Sequence, residues 1–158
     1  MRARIVVDSV LRSLSTVRAA TASLPRPAVF WHVWDAPLIT IGAGSYLNEL
    51  TEIAGARNVY GDLPDVSPPV AYEDLVRRDP DFVLAGPVGE RKLAADPAWR
   101  SLRAVRDGHV AVLDTNLVGR PSVRMGEAAW AIARAVHPDA SALRDSHPLA
   151  TPVATPRR

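Results

Sequence analysis

The chain has 158 residues and a net charge of +2, and this length suits one domain. Its 47% hydrophobic and 23% charged residues are ordinary globular values, which exclude a wholly disordered chain. The absence of cysteine excludes disulfides and thiolate metal sites. Basic residues are spread along the chain rather than clustered, so we expect no nucleic-acid partner.

The first 24 residues predict an amphipathic helix that ends before the first prolines. Its apolar stripe recurs at helical spacing and comprises Val7, Val10, Leu11, Leu14 and Val17. An export signal requires an unbroken apolar segment, which this stretch lacks. No run of about 18 apolar residues is present to span a membrane. Expressed as written, the chain is therefore expected to stay in the cytoplasm.

Three apolar runs predict strands, at residues 28–34, 81–86 and 109–114. Helices are predicted at 46–55, 71–79, 89–96 and 122–136. A further helical segment is predicted to begin at Pro97, with Asp96 as its N-cap. Ser45 is the predicted N-cap of the first of these and Gly55 its stop. Residues 61–70 and 115–121 are predicted loops, and residues 139–158, which have few large apolar side chains, a disordered tail.

Alternation of strands and helices predicts an α/β fold, a three-layer α/β/α domain with a mainly parallel sheet. Ligands of such domains bind beyond the carboxyl ends of the strands. The loops at 34–45, 64–71, 86–90 and 114–121 are therefore the candidate binding segments.

Two loop residues are candidates for ligand contact. Trp31 and Trp34 lie on opposite faces of the first predicted strand, and Trp34, at the strand end, is the better candidate for exposure. An exposed indole can stack on a flat ligand, and Arg120 can pair with a ligand carboxylate. Core packing for Trp34 and a solvated surface for Arg120 are the competing interpretations.

Other chemistry has weaker support in the sequence. The segment Gly42–Ser45 could hold a phosphate on backbone N–H groups, but it lacks the P-loop lysine, and a tight turn explains its glycines equally well. The four histidines have no metal-ligand spacing, and no G-x-S-x-G nucleophile motif is present, so neither a metal nor catalysis is expected.

The order of four segments resembles one family. The segments are PLITIGAGSYLNELTEIAGARNVYGDL, VAYEDLVRRDPDFVLAG, DPAWRSLRAVRDGHVAVLD and RPSVRMGEAAWAIARAV. Together they are similar to the second lobe of the periplasmic binding proteins that serve cobalamin, ferric-siderophore and haem ABC importers. The resemblance extends over roughly residues 1–137.

The resemblance implies a division of the chain: residues 1–24 would be the end of the helix that joins two lobes, and residues 25–138 the C-terminal lobe. A first lobe would be missing. It also implies a non-enzymatic protein without a cofactor, which works outside the cytoplasmic membrane and holds a metal chelate between its lobes.

The resemblance implies particular site residues as well. The implied ligand-binding residues are Trp34, Asp35, Leu38, Ser67, Pro68, Asn116 and Arg120. Glu73 matches the glutamate with which the second lobe docks on the permease dimer, although acids in a first helical turn are also favoured by the helix dipole. Two alternatives remain open: a small α/β enzyme or nucleotide-binding domain that uses Gly42–Ser45, and a truncated remnant that binds no ligand.

Overall fold

Short strands form a parallel sheet at the centre of the domain. The computed structural model describes residues 2–145. Its strands are β1 (Ala28–His32), β2 (Trp34–Asp35), β3 (Leu38–Ile39), β4 (Arg57–Asn58), β5 (Phe82–Ala85) and β6 (Val110–Val112). The sheet has the order β4-β1-β5-β6 with every pair parallel, whereas β2 and β3 form a separate antiparallel hairpin directly after β1.

Helices connect and cover these strands. They are α1 (Arg2–Thr21), α2 (Tyr46–Ile53), α3 (Tyr72–Arg78), α4 (Pro87–Ala95), a 3-10 helix (Pro97–Ser101), α5 (Arg103–Arg106), α6 (Thr115–Val118), α7 (Met125–Val136) and α8 (Ser141–Asp145). The predicted caps are confirmed: Ser45 accepts a hydrogen bond from the Leu47 amide, and Gly55 has a positive φ just after α2. Asp96 likewise caps the 3-10 helix.

Two apolar cores, one on each face of the sheet, make the domain three-layered, as predicted. Val29, Trp31 and Leu84 of the sheet pack with α1, α2 and α7. Phe30, Val83 and Ala85 alternate with them and pack on the other face, with α3, α4, the 3-10 helix and α5. Because successive strand residues point to opposite faces, both faces of β1 and β5 must be apolar, which explains their unbroken hydrophobic runs.

Several element boundaries differ from the sequence-based expectation. The first strand ends at His32 rather than at residue 34, because the chain turns into the β2–β3 hairpin. Residues 115–118 of the predicted loop form α6, and Asp114 caps it. The short strand β4 was not predicted, since it contributes only two residues to the sheet.

The prediction of a disordered tail is wrong for its first part. Residues 141–145 form α8, and Leu143 is completely buried in the core beside α7. One apolar side chain is enough here, because the helix covers an apolar surface that already exists. Residues 146–158 of the predicted tail lie outside the described residues.

The predicted stripe of α1 is buried only at its C-terminal end. Val17 is completely buried and Leu14 packs against the same core. Val7 and Leu11, on the same stripe, are 55% and 56% exposed. The helix therefore carries an apolar surface that residues 4–144 do not cover.

Candidate ligand-binding cleft

The strand order creates a crevice at the carboxyl edge of the sheet. The chain leaves β1 toward β4 on one side and then crosses to β5 on the other side, so the connections diverge between β1 and β5. Open α/β sheets bind ligands at such a switch point. A cleft of about 360 Å³ lies there, lined by residues 32–35, residues 86–89, Lys92 and Thr115. We call it the carboxyl-edge cleft.

Trp34 presents an indole to solvent at this cleft. Its side chain is 55% exposed, whereas Trp31, on the opposite face of the chain, is 4% exposed and donates a hydrogen bond to Thr51. The predicted exposure of Trp34 is thus confirmed. The ammonium of Lys92 lies 4.9 Å from the centroid of the Trp34 ring, a cation–π arrangement.

Asp35 joins two donors in the wall of the cleft. His32 Nε2 donates to one carboxylate oxygen over 2.6 Å, and Lys92 Nζ lies 2.5 Å from the other. Burial raises the pKa of Asp35, but the hydrogen bonds from Lys92 and His32 outweigh it and leave the pKa below its ordinary value. Asp35 is therefore ionised at neutral pH and holds both donors in place.

His32 is enclosed between the end of β1 and the first turn of α4. Its side chain is 2% exposed, its ring meets that of Trp99 edge-on at 5.5 Å, and Nδ1 has no hydrogen-bond partner. A Cβ atom on Gly89 would lie 2.5 Å from this Nδ1. Glycine at position 89 thus allows α4 to begin against the imidazole.

A second depression adjoins the carboxyl-edge cleft. It has a volume of about 580 Å³, and Leu38, Tyr72 and Trp99 supply much of its apolar lining. Asp35 and Lys92 line both depressions, so their ion pair forms the wall between them.

The structure brings together three of the predicted ligand residues and leaves four apart. Trp34 and Asp35 line the carboxyl-edge cleft, and Leu38 lines the adjoining depression. Ser67 is exposed, and Pro68 is buried, with its carbonyl accepting from Thr40, beside β3. Asn116 and Arg120 are exposed, in and just after α6. These four do not line either depression, and their part in binding stays a prediction.

The Gly42–Ser45 segment is not a phosphate loop. The amides of Gly42, Ala43 and Gly44 donate to the carbonyls of Val66, Leu63 and Asp65, respectively. Because the loop 63–66 already occupies these donors, they cannot cradle a phosphate. The glycines are explained by packing: a Cβ atom on Gly44 would lie 2.7 Å from the Pro64 carbonyl oxygen. This excludes the alternative in which Gly42–Ser45 binds the phosphate of a nucleotide.

Comparison with known proteins identifies the family. The sequence model of the periplasmic binding protein family matches residues 1–117, well over half of the chain. The chain belongs to the periplasmic binding protein family.

Individual relatives agree with this assignment. A cobalamin-binding protein of Halobacterium salinarum is 29% identical over 121 residues, which cover 71% of this chain and 32% of that protein. The crystal structure of a periplasmic vitamin B12 binding protein of Vibrio cholerae superposes with a TM-score of 0.67 at 22% identity, over 85% of this chain and 52% of the other.

An Fe³⁺-hydroxamate transport protein of Saccharomonospora viridis gives a TM-score of 0.74 at 22% identity, over 85% of this chain and 49% of that one. These two structural similarities concern the fold. The chain spans about a third of the first relative and about half of the two solved proteins. The family and the first two relatives are named as binding proteins, and the third is named as part of a transport system.

Within this family member, sequence reasoning missed two residues of the cleft. The sequence places His32 in the first predicted strand and assigns no role to Lys92, the only lysine of the chain. Their role depends on contacts with Asp35 across the fold. The rarity of lysine was the one available signal.

Other kinds of site are not seen in the part of the chain that the structure describes. The side chains of residues 4–144 include no group of three or more histidine, aspartate or glutamate residues placed to hold a metal ion. Among the same residues, no helix has the length and apolar character needed to cross a membrane.

Proposed function

We propose that this chain is the second lobe of an ABC importer's solute-binding protein, and that it binds cobalamin or a ferric chelate against the carboxyl-edge cleft. The observation that carries the proposal is the exposed indole of Trp34 at the switch point of the sheet. The names of the relatives support the two solute classes. A flat aromatic surface suits both, since each offers a bulky, partly apolar body.

The proposal includes a first lobe that closes the cleft. The chain spans about half of the solved proteins it resembles, which leaves room for a second domain. Val7 and Leu11 of α1 form an apolar surface that the described residues leave exposed, as expected for a helix that continues between two lobes. Like the family, the assembled protein would work outside the cytoplasmic membrane.

Affinity tests the two-lobe proposal. Tight sites enclose most of a ligand's surface, and one lobe supplies only half of such an enclosure. Calorimetric titration of this chain with cyanocobalamin and with a ferric trihydroxamate should therefore give dissociation constants weaker than about 1 μM. A tight titration of either solute would contradict the need for a first lobe.

Glu73 is the proposed docking residue for the permease dimer. Glu73 and Asp74 both open α3, but Asp74 is paired with Arg77 and Arg78. Glu73 is exposed and has no ion pair among the side chains of residues 4–144. Of the two acids, Glu73 is therefore the one available to an arginine of a partner, where charge pairs set orientation and register.

Docking can be measured in the assembled importer. Glu73→Ala should weaken the complex of binding protein and permease about tenfold, because one charge pair is lost. Glu49→Ala is the matched control, since Glu49 is an exposed first-turn acid on α2, in the layer on the other face of the sheet. Equal affinities for Glu73→Ala, Glu49→Ala and the unmodified protein would exclude docking through Glu73.

A further inference from the structure

The adjoining depression presents an open apolar surface outside the solute cleft. Leu38, Tyr72 and Trp99 supply its apolar lining, and its volume is about 580 Å³. The ion pair of Asp35 with Lys92 separates it from the carboxyl-edge cleft. A solute held in the cleft would therefore leave this depression free, and exposed apolar surfaces of this kind are typical of interaction sites.

The aromatic floor of the depression is held in one arrangement. The Tyr72 hydroxyl donates to the Ala98 carbonyl over 2.8 Å and lies 2.7 Å from Ser101 Oγ. The Tyr72 ring meets the Trp99 ring edge-on at 5.1 Å, and Trp99 meets His32 edge-on at 5.5 Å. These contacts tie the start of α3 to the 3-10 helix. A surface that is ordered before binding loses little conformational entropy when a partner docks.

Carboxylates beside the depression define the charge that suits a partner. Tyr72 directly precedes Glu73, which is exposed and has no ion pair among the side chains of residues 4–144. Asp96 lines the depression, caps the 3-10 helix with one oxygen and has no ion pair within the same range. Asp35 is already paired with Lys92. A partner that places an apolar side chain here therefore meets unpaired acids, which favour a flanking basic residue.

This combination matches the partner already proposed for Glu73. Tyr72 and Glu73 are neighbours in the first turn of α3, so a partner whose arginine reaches Glu73 also lies over the rim of the depression. A charge pair contributes orientation more than affinity, and well-packed apolar anchors in pockets contribute most of the binding energy. An apolar contact beside the charge pair would supply that energy.

We propose that the adjoining depression is a docking pocket for a large apolar side chain of the permease, next to the arginine that pairs with Glu73. The inference rests on the proposed importer function and adds a second contact to its docking surface. The Tyr72 hydroxyl bonds fix the position of the pocket relative to Glu73.

Filling the pocket tests the proposal. Ala95 is exposed at the end of α4 and lines the depression, so Ala95→Phe occupies the space without removing a core side chain. The variant should weaken the complex of the two-lobe protein with its permease dimer in lipid nanodiscs about tenfold. Ala94→Phe is the matched control, because position 94 is exposed on the same helix but outside the lining, and it should bind like the unmodified protein.

A photo-crosslinker at the same two positions identifies the occupant. p-Benzoylphenylalanine in place of Ala95 should form an adduct with a permease subunit on irradiation, and p-benzoylphenylalanine in place of Ala94 should form much less. Solute affinity, measured without permease, should be unchanged in both phenylalanine variants. Unchanged solute affinity also shows that the variants fold.

The possible failures are distinguishable. If Ala95→Phe binds the permease as tightly as Ala94→Phe, or if position 95 crosslinks only to a second copy of the binding protein, the docking pocket is overturned, and Glu73→Ala decides docking separately. If Ala95→Phe weakens solute binding in the absence of permease, the depression belongs to the solute site and the docking pocket is again overturned. An unmodified two-lobe protein that forms no complex with the permease would contradict the importer function itself.

Discussion

At the scale of single residues, His137 is a buried titratable group next to the core. It ends α7, is 8% exposed, and its Nε2 lies 3.1 Å from the carbonyl oxygen of Ala54. Burial lowers the pKa of His137 below its ordinary value, although hydrogen bonds to the Ala54 and Gly55 backbone oppose the shift. The folded protein thus favours the neutral imidazole.

This lowered pKa gives stability a predictable dependence on pH. As pH falls, His137 is protonated in the unfolded chain before it is protonated in the folded protein. Its contribution to the free energy of unfolding is therefore complete above the unfolded pKa of about 6.5 and is lost as pH falls toward the lower folded pKa. Urea unfolding should show a declining free energy of unfolding between about pH 7 and about pH 5.

His137→Gln should reduce this decline, since glutamine does not titrate and can still donate to Ala54. His109→Gln, at an exposed histidine, is the control and should keep the decline of the unmodified protein. If His137→Gln loses stability with falling pH as steeply as the control, His137 is not the group responsible.

At the scale of elements, two loops beyond the carboxyl edge hold each other in place. Residues 42–44 and 63–66 are joined by three backbone hydrogen bonds. A Cβ atom on Gly42 would lie 2.7 Å from the Leu63 carbonyl oxygen, and a backbone atom cannot move aside as a flexible side chain can.

Gly42→Ala should therefore destabilise the protein by about 1–3 kcal/mol in urea unfolding, as expected for an added methyl group in a closely packed place. Ala43→Ser is the control: position 43 is exposed, and the variant keeps the amide that bonds to Leu63. A Gly42→Ala variant as stable as Ala43→Ser would contradict the packing explanation for the glycines.

The elements that were predictable from the sequence are those with enough residues to show a pattern. Helical spacing predicts an apolar stripe on α7 of Met125, Ala129, Ile132 and Val136; the last three are buried, and Met125 packs partly buried against the same core. Strand β4 has no such pattern, because its inward residue is Asn58. This amide donates to the Ile41 carbonyl and to Asn48, and is therefore satisfied in the interior without being apolar.

The residues of the candidate site also include some that the sequence predicts and some that it does not. Trp34 was predictable because a strand end fixes where its indole can point. The cluster of Asp35 with Lys92 was not, since it joins residues far apart in the sequence that meet only when α4 packs beside the end of β1. Sequence spacing alone carries no information on that distance.

At the scale of the whole molecule, the domain buries two apolar cores and exposes apolar side chains on α1. Both faces of the sheet are covered by helices, yet α1 exposes Val7 and Leu11, and the carboxyl-edge cleft is open. In the proposed two-lobe protein, a first lobe would close the carboxyl-edge cleft, so the proposal depends on this cleft as the solute site.

Titration of the four indole resonances tests this central claim most directly. Trp31, Trp99 and Trp130 are 4%, 7% and 3% exposed, so Trp34 offers a solute far more surface than the others, although Trp99 also lines the adjoining depression. Trp34→Phe assigns its resonance. Cyanocobalamin, a ferric trihydroxamate and haemin would each be added to the ¹⁵N-labelled chain. We predict that at least one solute shifts or broadens the Trp34 resonance while leaving unchanged the resonances of Trp31 and Trp130, which line neither depression. A Trp34 resonance that none of the solutes alters would contradict the assignment of the cleft as the solute site.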